Sequence, residues 1–233
     1  MKVKEFFSQL DVRIAKYDLL CHPFYKAWAA GELSREDLRQ YGEDYYHHVQ
    51  AFPGYLAQLG IRLDDGELRR AVLANMNDEN GGESAFGDPG VSHAELWQDF
   101  VVGMGGRRVG ARTPVREIRD LIAWFQRMAS EGTAEEALAA FYAYESQVPR
   151  VAAEKDRGLR DLYGASAKTR NYFTLHTTAD VYHSKVWKKL LEKRVTAHPE
   201  TAARALDAAE NAARALWKAL DGIEARRTAA LSA

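Results

Sequence analysis

Apolar side chains recur along this chain at helical spacing and almost nowhere in strict alternation. Tyr41, Tyr45, His48 and Phe52 repeat on one side of a long segment, and Leu138, Phe141, Tyr142 and Val148 do the same further on. The pattern predicts a first helix over roughly Val3–Leu20 and a short one in "HPFYKAWAAG" ending at Gly31. Ser34 with Asp37 reads as a capping box opening a long helix that Pro53 would bend. Further helices are expected near Glu67–Asn80, Ser92–Met104 and Pro114–Ser130, the last with Thr113 as N-cap and Pro114 in its first turn. Thr133 with Glu136 caps a helix through "EEALAAFYAYESQVP". Another starts near Ala167 and continues through Trp187, and a final one runs from about Pro199 to Ala225, leaving residues 226–233 as a frayed tail. Hairpin signals are missing, and no linker or repeat divides the chain. The expectation is one all-α domain, a helical bundle over residues 1–225.

Composition narrows the class. With 233 residues, 46% of them hydrophobic, the chain can bury a substantial core. Lys plus Arg number 32 against 33 Asp plus Glu, so no basic excess recruits nucleic acid or an anionic membrane. No apolar run has the length of a membrane span, and the charged start "MKVKEFFSQLDVRIAKYD" is unlike a signal peptide. The single cysteine, Cys21, excludes an internal disulfide and suits a reducing cytoplasm. It also leaves any metal to nitrogen and oxygen donors, which favours iron, manganese or zinc, with hard carboxylates tilting towards iron or manganese.

The stretch "FTLHTTADVYHSKVW" supplies such donors. His176, Asp180 and His183 stand at i, i+4 and i+7, which on one continuous helix return to within about 40° of a common line. Burying two imidazoles and a carboxylate together is costly unless a cation joins them. The ordinary alternative is a solvated face, or a His–Asp pair tying two helices. Glu145 follows Phe141 and Tyr142 on the apolar side of its helix and needs either a metal or an Arg or Lys from elsewhere. Glu79 at one helix end and His93 at the next helix start would complete three acids and three histidines, enough for two metals in a bundle. Spacing alone leaves Asp78 and Glu83 open beside Glu79. Tyr25, Tyr41, Tyr45 and His48 read as core filling, and Lys155 as a solvated lysine. The glycine-rich "GMGGRRVG" lacks the strand and spacing of a phosphate loop and reads as a helix end and loop.

The motifs "HPFYKAWAAGELS", "LRQYGEDYYHHVQAFPGYL", "NMNDEN", "HAELW", "YESQVPRVAAEK" and "HTTADVYH" resemble the family of the chlamydial protein associating with death domains. The resemblance spans about residues 5–220. It implies a heme-oxygenase-like bundle, shared with thiaminase II and the pyrroloquinoline-quinone synthase C enzymes, holding a dinuclear Fe/Fe or Mn/Fe centre that reacts with dioxygen. It implies Glu79, His93, Glu145, His176, Asp180 and His183 as ligands. It further implies a self-sacrificing synthesis of para-aminobenzoate for folate, with Tyr25 supplying the ring, Lys155 the nitrogen, and Tyr41 as an accessory tyrosine. Desolvation would favour the deprotonated lysine such chemistry needs. This chain is longer than the family pattern between Glu79 and His93, and it lacks the chlamydial C-terminal extension, so no death-domain partner is supported. An external reductant and a homodimer are expected. The rival readings are a dimetal oxygenase acting on an external fatty acid or amino acid, and a non-catalytic helical interaction protein.

Overall fold

The computed structural model describes residues 2–82 and 90–231; Glu83 lies outside them. The described residues form eleven α-helices and two short 3-10 turns, with no strand. The helices are α1 (Val3–Ala15), α2 (Pro23–Ala30), α3 (Arg35–Arg62), α4 (Glu67–Glu79), α5 (His93–Gly103), α6 (Arg116–Glu131), α7 (Ala134–Glu145), α8 (Val148–Asp161), α9 (Ala167–His176), α10 (Ala179–Ala197) and α11 (Ala202–Leu231).

Several starts follow the capping logic. Ser34 and Thr133 each accept from the backbone N–H three residues on, while Asp37 and Glu136 reach back to them, satisfying donors a bare helix start leaves open. Ser92 and Ser166 cap α5 and α9. Gly31 closes α2 at φ 74°, a left-handed conformation that suits glycine.

Five expectations need correction. The first helix stops at Ala15 rather than Leu20, because a turn leads to Asp18, whose side chain takes the Leu20 N–H to cap a 3-10 turn instead. α6 begins at Arg116 with Val115 before it, so Thr113 and Pro114 stay in the loop. The helix through "EEALAAFYAYESQVP" ends at Glu145, and Pro149 sits in the first turn of a new helix, where its missing N–H costs nothing. The segment from Ala167 to Trp187 breaks at Thr177–Thr178, whose hydroxyls donate to the carbonyls of Thr174 and Leu175. α11 continues past Ala225 to Leu231, and Arg226 pairs with buried Asp44 of α3 at 2.5 Å.

α11 packs on α7, α6 and α1, α3 on α4, α5 and α6, and α9 on α5 and α8. Ala205, Ala209, Ala212 and Ala219 on α11, and Ala137, Ala139, Ala140 and Ala143 on α7, are fully buried small residues that let these two backbones approach closely. One contiguous core results, and its centre is aromatic: Phe24, Trp28, Tyr41, Trp97, Phe100 and Phe173 lie ring against ring. Among the described residues no helix is long and apolar enough to cross a membrane.

Candidate active site

Six of the singled-out donors converge inside this core in two groups of three. Glu79, His93 and His176 form one, from the end of α4, the start of α5 and the end of α9. Glu145, Asp180 and His183 form the other, from the end of α7 and the first turns of α10. Within each group the donor atoms lie within 4.8 Å of one another. Glu79, His176, Glu145 and Asp180 line one void of about 10 Å³, so the two groups are adjacent. The break at Thr177–Thr178 sends His176 to one group and Asp180 with His183 to the other, so the single-line geometry expected of these three residues does not hold.

The orientations are set by hydrogen bonds. Glu79 Oε2 lies 2.9 Å from His93 Nδ1. His176 Nδ1 donates to the Tyr172 carbonyl at 2.6 Å, and the Tyr172 ring stacks on its imidazole at 3.9 Å. Glu145 accepts from Asn75 Nδ2 at 3.2 Å and from Trp187 Nε1. His183 places Nδ1 3.4 Å from Asp180 Oδ1 and Nε2 3.1 Å from Asp78 Oδ2. Among the described residues no Lys or Arg pairs with Glu79, Glu145 or Asp180, so the alternative cationic partner for Glu145 is missing. Burial lifts the Glu145 carboxyl to about 8, with His183 opposing and Asp180 and Glu79 adding. Burial alone would lower His183, but hydrogen bonds to Asp180 and Asp78 and the Glu145 charge outweigh it and hold the imidazole at about 11. Burial lowers His176. Three carboxylates and three imidazoles gathered in so small a buried space fit a pair of cations bound by oxygen and nitrogen.

A second cluster lies beside the first. Lys155 of α8 is buried, contrary to its reading as a solvated side chain, and burial holds its amine well below the ordinary lysine range. Its Nζ lies 4.4 Å from the centre of the Tyr25 ring and 4.7 Å from that of Tyr41, and donates to the Tyr41 hydroxyl. The Tyr25 and Tyr41 hydroxyls are 3.1 Å apart. Trp28, Tyr45, Trp97 and Phe173 complete the box within 6 Å of the amine. Burial raises both Tyr25 and Tyr41 well above the usual phenol range, so both hydroxyls keep their protons. A void of about 30 Å³ borders Tyr25, Lys155, Tyr144 and Tyr172. Tyr144 and Tyr172 also line the void between the two donor groups, so they form the wall shared by both clusters.

Sequence reasoning missed this wall, together with Asn75, Trp187 and the place of Asp78. Tyr144 directly precedes Glu145 and Tyr172 lies one turn before His176, which is the signal that was available. Glu79 is the acid that joins His93 and His176, while Asp78 belongs to neither group and Glu83 is outside the described residues.

Residues 39–217 match the model of a family described as iron-containing redox enzyme. The chain is 36% identical to the 4-aminobenzoate synthase of Chlamydia trachomatis serovar D, covering 93% of this chain and 90% of that one. It is 36% identical to the protein of the same description from Nitrosomonas europaea, covering 96% and 92%. Among solved structures, a protein of heme-oxygenase-like fold from Shewanella denitrificans superposes with a TM-score of 0.80 at 16% identity, covering 98% of this chain and 94% of that one. A TenA homolog from Pseudomonas syringae pv. tomato gives 0.75 at 18% identity, covering 94% and 91%. Fold, buried donor set and relatives agree: the chain belongs to the family of iron-containing redox enzymes, on the heme-oxygenase-like helical fold.

Proposed function

We propose that this enzyme makes 4-aminobenzoate from its own Tyr25 and Lys155, using dioxygen at a dinuclear Fe/Fe or Mn/Fe centre held by Glu79, His93, His176, Glu145, Asp180 and His183. The observation that carries the reading is the Lys155 amine, 4.4 Å from the Tyr25 ring centre in an aromatic box where, among the described residues, no carboxylate pairs with it. A lysine buried this way is normally paired, because an isolated ammonium is costly in an apolar surround. Here burial favours the neutral amine, whose nitrogen lone pair can act as a nucleophile. The Tyr41 hydroxyl bonds both to the amine and to the Tyr25 hydroxyl, so the nitrogen is held beside the phenolic end of that ring. When bound, the metal pair supplies oxidising power from dioxygen for attack on an electron-rich phenol.

The small void beside the amine favours this reading over an oxygenase with an external substrate. The space of about 30 Å³ there takes a few waters at most, which is tight for a fatty acid beside the amine. The ring nearest the amine is the protein's own. An external reductant and a reducing cytoplasm belong to the same proposal, since a bound iron or manganese pair would need a source of electrons and Cys21 is the chain's one cysteine.

The test uses protein grown on ring-labelled tyrosine. Reduced metal and dioxygen should yield labelled 4-aminobenzoate without added aromatic precursor, and no more than a single product per chain. Tyr25→Phe should give none, since the phenol oxygen activates the ring. Lys155→Arg should give none, since guanidinium stays protonated. Many turnovers per chain with Tyr25 intact would sink the proposal and leave the external-substrate oxygenase.

A further inference from the structure

Asp78 and Glu79 are neighbours at the end of α4, yet their carboxylates serve different halves of the centre. Consecutive helical residues point about 100° apart. Glu79 Oε2 accordingly meets His93 at 2.9 Å, while Asp78 Oδ2 meets His183 at 3.1 Å. His183 is thus held between two acids. Its Nδ1 edge faces Asp180 inside the Glu145/Asp180/His183 group, and its Nε2 edge faces Asp78, which is in neither group. Asp78 lies in a crevice of about 60 Å³ between α4 and α10, lined also by Ala71, Ala74, Tyr182 and Val186. The Nε2 edge therefore looks outward and the Nδ1 edge inward. The other half is built differently. His176 gives its Nδ1–H to the neutral Tyr172 carbonyl, which leaves Nε2 available to its group.

We propose that Asp78 is a positioning residue: it holds the His183 Nε2–H, presents Nδ1 to the ion, and makes the Glu145/Asp180/His183 half the tighter of the two metal positions. A carboxylate outside a ligating imidazole fixes its tautomer and ring angle and raises its basicity, and loss of such a partner commonly weakens binding. The charge distribution acts in the same direction. This half has two carboxylates and one imidazole, with Asp78 behind it. The Glu79/His93/His176 half has one carboxylate and two imidazoles, with a carbonyl behind it. More anionic oxygen suits a hard cation such as Mn(II).

The inference rests on the reading that both groups hold metal, and the experiment separates the two. Mn(II) affinity is measured by equilibrium dialysis and by the electron paramagnetic resonance of the bound ion. His93→Ala disables one half and His183→Ala the other. In the His93→Ala background, Asp78→Asn, which keeps an acceptor but removes the charge, should weaken Mn(II) binding by about 10–100-fold and alter the resonance line shape. Asp78→Glu should recover part of the loss. In the His183→Ala background Asp78→Asn should change nothing, because its partner is already gone. Equal effects in both backgrounds, or none in either, would overturn the proposal. Complete loss of the ion with Asp78→Asn at every Mn(II) concentration would make Asp78 a direct ligand and also overturn it. Melting curves followed by circular dichroism check that each variant folds; if Asp78→Asn does not, the comparison of Asp78→Glu across the two backgrounds decides. Wild-type protein binding no metal at all would instead defeat the reading of both groups as metal positions.

Discussion

Lys155 shows how much one residue's environment decides. Its default as an exposed, charged side chain follows from the ordinary cost of burying an ammonium, and only the family resemblance of "YESQVPRVAAEK", not its composition or spacing, singles the residue out. The aromatic box becomes visible only when α2, α3, α5 and α9 meet around it. The consequence is a linkage between pH and stability whose sign can be stated. Burial lowers the pKa of the amine in the folded protein, whereas the unfolded chain protonates it below about 10.4. Unfolding therefore takes up a proton, so the Lys155 contribution to stability rises with pH and levels off near the unfolded value. Lys155→Met should remove this penalty. The metal-free variant should be more stable than wild type at neutral pH, and the difference should shrink with rising pH by at most about 1.4 kcal/mol per unit. Urea unfolding of both proteins at several pH values between neutrality and the lysine range checks this. Parallel pH profiles would mean that the folded protein carries the ammonium after all.

At the scale of elements, the caps were legible and the breaks were not. Ser34 with Asp37 and Thr133 with Glu136 mark helix starts by side-chain chemistry that a sequence displays directly. The interruptions at Ser146–Gln147 and Thr177–Thr178 contain neither glycine nor proline, and each lies within a continuous apolar pattern. The residue types of the donor set could be read, but the angular argument for His176, Asp180 and His183 assumed one helix where there are two. That correction changes the expected metal content of variants. His176→Ala should empty the Glu79/His93/His176 group and leave the other, while Asp180→Ala or His183→Ala should do the reverse. Each should retain a single metal per chain at saturating metal, and combining His176→Ala with His183→Ala should retain none. Elemental analysis after gel filtration measures this. Loss of both metals from every single variant would mean that the two groups load only as a unit.

At the scale of the whole molecule, the bundle separates the proposed metal donors from the proposed reacting pair by assigning them to different helices. α4, α5, α7, α9 and α10 bring the six donors, whereas Tyr25 and Lys155 come from α2 and α8. The approach of α2 to α8 is set by Gly158. A Cβ added there would stand 2.8 Å from Trp28 Nε1 and 2.9 Å from its Cδ1. Trp28 cannot yield easily, since it is almost fully buried against Tyr41, Phe100 and Phe173. Gly158 lies one turn after Lys155 and Trp28 one turn after Tyr25, so separating these helices moves the amine from the ring. Gly158→Ala gains about 1 kcal/mol of helix propensity and loses about 1–3 kcal/mol to overpacking. The expected net cost in stability is therefore small, on the order of 0–2 kcal/mol. Its effect on product should be much larger, because a misplacement of about 1 Å at reacting atoms can cost about 100-fold in rate. Gly158→Ala should thus bind both metals normally, melt near the wild-type temperature, and release 4-aminobenzoate far more slowly. A wild-type rate of product formation in that variant would show that the contact between α2 and α8 does not position the reaction.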